Sequence, residues 1–383
     1  MKISIIMGFF LPVPPVAGGA TEKIWSRLAL EFAARGHEVT IFSRRWPGFA
    51  NEELISGVRH VRLPGRTHTL QLWRNLLRDF FWSQRLSRLL PPADIAIVNC
   101  VALPLWLGRF RPDAGRVVLH AGRMPKGQFR FYRRIARVLA PSTAVQKKIA
   151  AENPRLARVT RTVGNPIAWR ELEKAPASGL PAVSLTVGYV GRLHREKGLD
   201  LLVAALSLLA GKKNLPPWRV LLCGPADVAR GGSGPAYAEG LTRRLTEILS
   251  TGNCTILPPT FDETALKKVY QDIDIFCYPS LAEQGETFGV AVAEAMAAGA
   301  VPIVSRLACF TDFVADGENG LVFNHAAGDA PACLAAALEQ LLIDRERRIR
   351  LAGAARRASA RFDFSSFADG LLADFTGLTA ADA

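Results

Sequence analysis

Short apolar runs alternate with helix-length amphipathic segments along this chain, and the alternation runs through twice. In the first series, apolar runs occupy 1–11, 38–43, 58–63, 95–99, 117–120 and 138–140, with helical periodicity over 20–34 and 70–90. A short continuous apolar run suits a strand buried on both faces, because its side chains meet apolar neighbours above and below the sheet. Strands of this kind separated by helices pair most simply as a parallel sheet with helices on both sides. The run at 1–11, with Lys2 near its start and Pro12, Pro14 and Pro15 after it, also has the outline of a short secretory leader. The helix and second strand that follow at once favour a buried strand.

The texture changes after Asn165-Pro166. Residues 175–181 (APASGLP) are small and rich in Pro and Gly, which is linker composition. The alternation then restarts, with strands expected at 184–190, 219–223, 255–257, 275–278 and 301–304. Helices are expected at 198–210, 236–249, 263–271 and 289–298. The expected organisation is α/β: a first domain over 1–166, a linker over 167–183, and a second domain over 184–362. Residues 345–375 are helical in pattern with a break near Asp363, so 363–383 forms a terminal helix able to cross back to the first domain. Ligands of such domains gather at the C-terminal ends of the strands and in the cleft between domains.

The 383 residues suffice for two domains of this size. Six cysteines stand far apart with no CxxC pair, which excludes a disulfide scaffold, offers no zinc signature and fits a reducing, cytoplasmic compartment. No apolar run reaches the ~18–20 residues that span a bilayer. The net charge is +14. Residues 1–170 hold 28 Lys+Arg and 9 Asp+Glu, a net of 28 − 9 = +19, and residues 171–383 hold 20 and 25, a net of 20 − 25 = −5. One half of the chain is therefore expected to face a polyanion or an anionic membrane.

Three segments carry candidate chemistry. The first runs from Glu286 through Phe288, Gly289, Val290 and Glu294 to Gly299 and Pro302, and reads as a strand, a loop, a helix, a glycine stop and a further strand. A helix beginning near Gly289 offers unpaired amides and a positive dipole end to an anion. Glu286 and Glu294, if on one continuous helix, lie about 12 Å apart at 1.5 Å per residue. That exceeds the ~5–9.5 Å of a glycosidase carboxylate pair and suits two carboxylates holding hydroxyls at opposite ends of one long ligand. The second segment, Gly191-Arg192-Leu193 to Lys197-Gly198, puts two cations where a strand gives way to a helix. The third, residues 14–20, places Gly18-Gly19 between the first strand and first helix. Asp272-Ile-Asp274 matches a metal-binding DxD, but it directly precedes a buried strand, and no metal is expected. No P-loop, GxGxxG, HExxH or GxSxG occurs.

In this order and spacing the segments resemble the retaining family 4 glycosyltransferases of the GT-B fold. The matching residues are Gly18-Gly19, the run from Arg35 to Val39, Ser142, Asn165-Pro166, Gly191-Arg192-Leu193, Lys197-Gly198, Gly224, Pro279-Ser280 and the E-x7-E segment through Pro302. The resemblance implies two Rossmann-like domains facing across a cleft, and transfer of a sugar from a nucleotide-sugar donor, with UDP the expected nucleotide, without metal or other cofactor. It implies that Arg192 and Lys197 bind the donor diphosphate, that Glu294 takes the ribose hydroxyls, and that Glu286 holds hydroxyls of the transferred sugar. The amides of Phe288, Gly289 and Val290 would line the sugar and phosphate pocket, Gly18-Gly19 would close over the phosphates, and His120 would touch the sugar near the reacting carbon. Front-face attack by the acceptor is the mechanism it implies, so no residue is assigned as nucleophile. The chain departs from the family at Pro258-Pro259, where a glycine commonly turns toward the base and where prolines have no amide to donate. Residues 229–235 form a Gly-rich loop after Gly224, which reads as an insertion or a lid.

The basic half holds the expected acceptor side. Residues 66–90 mix Leu72, Trp73, Leu76, Leu77, Phe80, Phe81 and Trp82 with Arg74, Arg78, Arg85 and Arg88, and Asp79 is the lone acid. This is the pattern of a basic amphipathic helix at a membrane interface; residues 128–137 add more Arg and aromatic residues. The ordinary alternative is a domain helix whose apolar face is core. The expected partners are a nucleotide sugar, a saccharide or lipid-linked acceptor and an anionic membrane on its inner face. Two other classes stay open: a nucleotide-sugar epimerase of the same fold, and a non-catalytic polyanion or nucleic-acid binder. No RNP, KH or helix-turn-helix signature supports the latter.

Overall fold

A computed structural model describes residues 1–67, 69, 71–173, 184–249, 253–260 and 262–380. The chain divides into two compact units, Met1–Pro166 with Phe364–Ala383, and Ile167–Asp363. In chain order the first unit holds β1 (Lys2–Ile6), α1 (Ala20–Ala34), β2 (Glu38–Arg44), β3 (Glu52–Ile55), β4 (Val58–Leu63), α2 (Leu72–Leu89), β5 (Ile95–Val98), α3 (Leu103–Phe110), β6 (Arg116–His120), β7 (Arg137–Ala140), α4 (Thr143–Glu152), α5 (Pro154–Ala157) and β8 (Thr160–Thr162). The second holds β9 (Leu185–Val190), α6 (Leu199–Ala210), β10 (Trp218–Cys223), α7 (Pro235–Leu249), β11 (Cys254–Leu257), α8 (Glu263–Gln271), β12 (Ile275–Tyr278), α9 (Val290–Ala297), β13 (Val301–Ser305), α10 (Ala308–Thr311), β14 (Leu321–Phe323), α11 (Ala330–Ile343) and α12 (Arg345–Ser359). The chain returns to the first unit as α13 (Phe364–Ala380).

In the first unit eight strands lie in the order β3-β4-β2-β1-β5-β6-β7-β8. All neighbours are parallel except β3 and β4. That hairpin turns through Ser56 and Gly57, both at positive φ (49° and 81°), the backbone of a two-residue turn matched to strand twist. β1 is apolar on both sides because both faces are covered. Ile3 and Ile5 meet α1 and α13 through Trp25, Leu28, Phe32, Leu371 and Phe375. Ile6 faces the layer built from Leu86, Leu103, Leu107, Val145 and Ile149. Helix α13 is anchored by Arg35, which pairs with Asp369 at 2.7 Å, and by a two-pronged Arg137–Asp374 pair at 2.6 and 2.7 Å.

In the second unit six parallel strands lie in the order β11-β10-β9-β12-β13-β14. From β9 the chain builds outward on one side through β10 and β11, then returns and builds the other side from β12. Crossovers that leave in opposite directions open a crevice at the carboxyl ends of the two strands between them, here β9 and β12.

Residues 167–173, placed in the linker by composition, pack on the second unit instead. The Ile167 amide donates to the Phe362 carbonyl at 2.7 Å, Trp169 Nε1 donates to the Arg356 carbonyl at 3.1 Å, and Leu172 is buried. Two apolar anchors and a Trp explain why this stretch stays docked. The remaining linker residues, 174–183, lie outside the described residues. No helix among the described residues is long and apolar enough to cross a membrane.

Candidate functional site

The carboxyl ends of β9 and β12 bring together Arg192, Lys197 and Glu286. After β9, Gly191 and Arg192 lead into a short 3-10 turn, Arg195–Lys197, in which His194 Nδ1 accepts from the Glu196 amide. Gly198 follows at φ 69°, and a Cβ there would stand 1.9 Å from the Pro279 carbonyl oxygen. Glycine is therefore what lets the Lys197 turn lie against the end of β12. Lys197 Nζ forms a buried ion pair with Glu286 Oε1, and the two residues are 5% and 7% exposed. The same oxygen accepts from Ser280 Oγ at 3.1 Å and from the Tyr278 hydroxyl at 3.3 Å. Burial and the Glu286 charge push the Tyr278 phenol well up, so it stays a donor. Arg192 donates to Glu196 Oε1 at 2.7 Å and to the Gly231 carbonyl at 2.8 Å. Positive and negative charges thus alternate from Arg192 through Glu196 and Lys197 to Glu286. The two buried members, Lys197 and Glu286, are tolerable there because each is paired and hydrogen-bonded. An incoming polyanion would find two preorganised cations here, and hydroxyl groups would find Glu286.

Glu286 and Glu294 do not share a helix, contrary to the continuous-helix reading. Helix α9 begins at Val290, with Gly289 at φ 94° as its N-cap and no side chain capping it, so Glu286 belongs to the preceding loop. A Cβ on Gly289 would come 2.5 Å from the Phe310 ring, so this approach too requires glycine. Glu294 projects from α9 and accepts from the Tyr270 hydroxyl at 2.7 Å. Phe288 is core: its ring packs 4.8 Å from Phe313 and 5.0 Å from Phe362. Only its backbone could meet a ligand. The 229–235 loop is held down rather than loose. Ser233 N donates to the Leu193 carbonyl, Gly234 N donates to the Ala226 carbonyl, and Gly231 holds Arg192. Asp274 of the DxD accepts from the Thr186 amide at 2.9 Å, a structural duty, and no cluster of metal-ligating side chains occurs among the described residues.

In the first unit, Gly18 and Gly19 take φ 80° and 105° between β1 and α1. The Glu22 carboxylate lies directly over Gly19, where any side chain would collide with it, and burial raises its pKa. The loop before these glycines is strapped from below by arginines. Arg62, buried in β4, donates twice to the Val13 carbonyl (3.0 and 3.2 Å) and once to Ala50. Arg44 donates to the Phe10 carbonyl at 2.7 Å. His120 ends β6, with Nδ1 at 3.0 Å from Asn99 Oδ1 and 3.2 Å from Trp25 Nε1, and its ring stands edge-on to Trp25. Its surface is part exposed, yet desolvation pushes its pKa down to about 4, so the imidazole is neutral at pH 7.

That depression has a testable sign. The folded pKa lies below the ordinary imidazole value of 6.5, so the unfolded chain takes up the proton first as pH falls. Stability is full above 6.5 and drains away between 6.5 and about 4, by on the order of 2–3 kcal/mol. His120→Asn is expected to lose less stability than the parent over that window in melts at pH 7 and pH 4. Equal losses in both proteins would refute the assignment. Asp79, pushed up to about 6 by burial, works in the opposite direction, and the difference between parent and variant cancels it.

Family models match both units: "Glycosyltransferase Family 4" over residues 18–167 and "Glycosyl transferases group 1" over 172–358. The chain belongs to the family 4 glycosyltransferases. Sucrose-phosphate synthase from Thermosynechococcus elongatus shares its fold at a TM-score of 0.76 and 21% identity, each chain covered to 100%. An Anabaena protein solved in complex with UDP and glucose has a TM-score of 0.70 and 18% identity, covering 98% of this chain and 100% of its own. The D-inositol 3-phosphate glycosyltransferase of Corynebacterium urealyticum is 33% identical over 196 residues, which are 51% of this chain and 44% of that protein. The chain thus aligns with less than half the length of that curated relative. In this family 4 glycosyltransferase, sequence reasoning missed Asn99, Trp25, Glu22 and Arg62. Each meets its partner from 3 to 95 positions away. Only the coincidence of strand ends joins the more distant ones, and no local spacing announces it.

Proposed function

We propose that this enzyme is a retaining glycosyltransferase, moving a sugar from a nucleotide-sugar donor, UDP-linked, to a saccharide or lipid-linked saccharide acceptor in glycan assembly. The observation that carries it is the buried Lys197–Glu286 pair, linked through Glu196 to Arg192, at the two strand ends where the sheet order reverses. In this reading Arg192 and Lys197 exchange their carboxylate partners for the donor diphosphate and stabilise the charge that develops as it leaves. Glu286, released from Lys197, takes hydroxyls of the transferred sugar. Glu294 takes the ribose hydroxyls, and the amides at Phe288, Gly289 and Val290 meet the sugar and phosphate oxygens. Gly18-Gly19 closes over the phosphates. His120, neutral, accepts or donates a hydrogen bond near the reacting carbon. The acceptor hydroxyl attacks on the face the diphosphate leaves. The second unit, the more acidic, is the donor domain; the first, strongly basic, receives the acceptor. The enzyme works in the cytoplasm, peripheral to the inner face of a membrane. It requires no metal.

A thermal-shift panel of nucleoside diphosphates and nucleotide sugars tests the donor class, since a ligand of the folded state raises stability by RT ln(1 + [L]/Kd). UDP and a UDP-sugar are expected to raise the melting temperature. A panel with no response would end the proposal. Glu294→Ala is expected to weaken nucleotide binding about 10- to 100-fold, the worth of one or two hydrogen bonds to a carboxylate. Glu294→Gln, which keeps an acceptor for Tyr270, separates lost ribose contacts from an unsatisfied phenol. Unchanged nucleotide affinity in the alanine variant would remove Glu294 from the site.

A further inference from the structure

Helix α2 is built inside out. Asn75, Asp79, Ser83 and Ser87 point inward and are buried alongside Trp82 and Leu86. Leu72, Trp73, Leu76, Leu77, Phe80 and Phe81 point outward, with Leu72 at 68%, Trp73 at 58% and Phe81 at 62% exposed. The alternative in which the apolar stripe is core therefore fails. The inward polar groups serve as fasteners. Asn75 Nδ2 donates to the Thr69 carbonyl at 2.6 Å, and Asp79 accepts from the Ala102 amide at 2.6 Å, fixing the start of α3. Helix α3 extends the outward apolar surface. Phe80 packs 5.0 Å from Trp106, which packs 5.7 Å from the exposed Phe110. Arg134, donating to the Gly108 carbonyl at 3.0 Å, ties on the 128–134 segment with exposed Phe131.

We infer that this face, α2 with α3 and the 128–131 turn, docks on an anionic lipid bilayer. Charge complementarity selects that occupant. Asp79 is the single carboxylate of α2, and it is turned inward, so the outward surface carries Arg74, Arg78, Arg85 and Arg88 with no acid among them. Helix α3 and the 128–131 turn contain no acid either. Trp and Phe at the headgroup level with arginines reaching lipid phosphates is the chemistry of interfacial binding. A second copy of the chain meeting this face about a two-fold axis would set arginines against arginines. The surface deepens the proposed lipid-linked acceptor and rests on that reading only for its purpose; vesicle binding is measured without any acceptor, so the two can fail separately.

The experiment is flotation of the full chain with vesicles of phosphatidylcholine mixed with phosphatidylglycerol, and with phosphatidylcholine alone. The protein is expected to float with the mixed vesicles and not with the neutral ones, and added salt is expected to release it. Trp73→Ser with Phe81→Ser is expected to weaken binding on the order of a hundredfold. Arg85→Glu with Arg88→Glu is expected to weaken it at least thirtyfold, at roughly 1 kcal/mol for each cation removed. Both variants are expected to keep the parent's melting temperature, because the four positions face outward. Failure of the parent to float, or undiminished flotation of both variants, would overturn the inference. A reversible dimer that Trp73→Ser with Phe81→Ser dissolves would assign the face to a second copy and overturn it as well.

Discussion

Lys197→Ala is expected to reduce sugar transfer by about a thousandfold or more and to destabilise the protein too. The first effect follows from the proposed role. A preorganised donor aimed at charge that appears only in the transition state is worth roughly 10²–10³ in rate, and here the ammonium also aligns the bound diphosphate. The second follows from the pairing. Glu286 is 7% exposed and has Lys197 as its cation. Removing the cation leaves a buried carboxylate with the neutral donors Ser280 and Tyr278, at a cost of about 3–5 kcal/mol. A loss of activity in this variant alone would be ambiguous. Lys197→Met combined with Glu286→Gln resolves it. A neutral pair of similar volume recovers most of the stability, since buried ion pairs exchange for uncharged groups at little net cost, while transfer stays lost. Denaturant unfolding and a transfer assay read the two separately. Parent-level transfer in either variant would disprove the assignment of Lys197.

Gly224→Ala carries the other large effect. Gly224 follows β10 at φ 152°, and a Cβ there would stand 1.9 Å from the Gly191 carbonyl oxygen. The obstacle is backbone at the end of the neighbouring strand and cannot rotate away. Backbone strain of ~1–3 kcal/mol and overpacking of ~1–3 kcal/mol together predict a loss of roughly 2–6 kcal/mol. The melting temperature then falls by on the order of 10 °C. Because Gly191 leads directly to Arg192, any movement that relieves the clash shifts that side chain, and nucleotide affinity is expected to fall with stability. Gly240→Ala is the control. It lies within α7, where a Cβ meets nothing within 4 Å, and is expected to gain up to about 1 kcal/mol from helix propensity. Equal melting temperatures for the two variants would show that the strand ends do not approach as described.

The repeating strands and helices were readable because each is a local pattern. Residues 20–34, 263–271 and 275–278 form the expected elements without shift. Helices α3, α4 and α11 and the edge strands β3 and β14 carry no such signal in the sequence reading. β3 is half-exposed and carries two glutamates, so it lacks the apolar run that marks β1 or β12, and β14 is apolar but only three residues long. Arg192, Lys197, Glu286 and Glu294 stand out by motif; the fold links the first three in one charge chain after β9 and β12, and Glu294 meets Tyr270 from α9. The pairing of Lys197 with Glu286, 89 positions apart, was not legible, because it depends on Gly198 passing the Pro279 carbonyl. Helix α2 was recognised as amphipathic, but amphipathicity does not say which face is inside. Asn75 and Asp79 decide that by fastening Thr69 and Ala102, partners that a helical wheel does not show.

The return of α13 to the first unit bears on the order of synthesis. Phe364, Leu371, Leu372 and Phe375 complete the apolar layer over Trp25, Leu28 and Phe32. A ribosome delivers β1 through β8 long before it delivers these residues, so the α1 side of the eight-stranded sheet waits only partly covered while the whole second unit emerges. The second unit, continuous from Ile167 to Asp363, can finish first. The nascent first unit then exposes aromatic surface of the kind that chaperones hold and that aggregates when they are scarce.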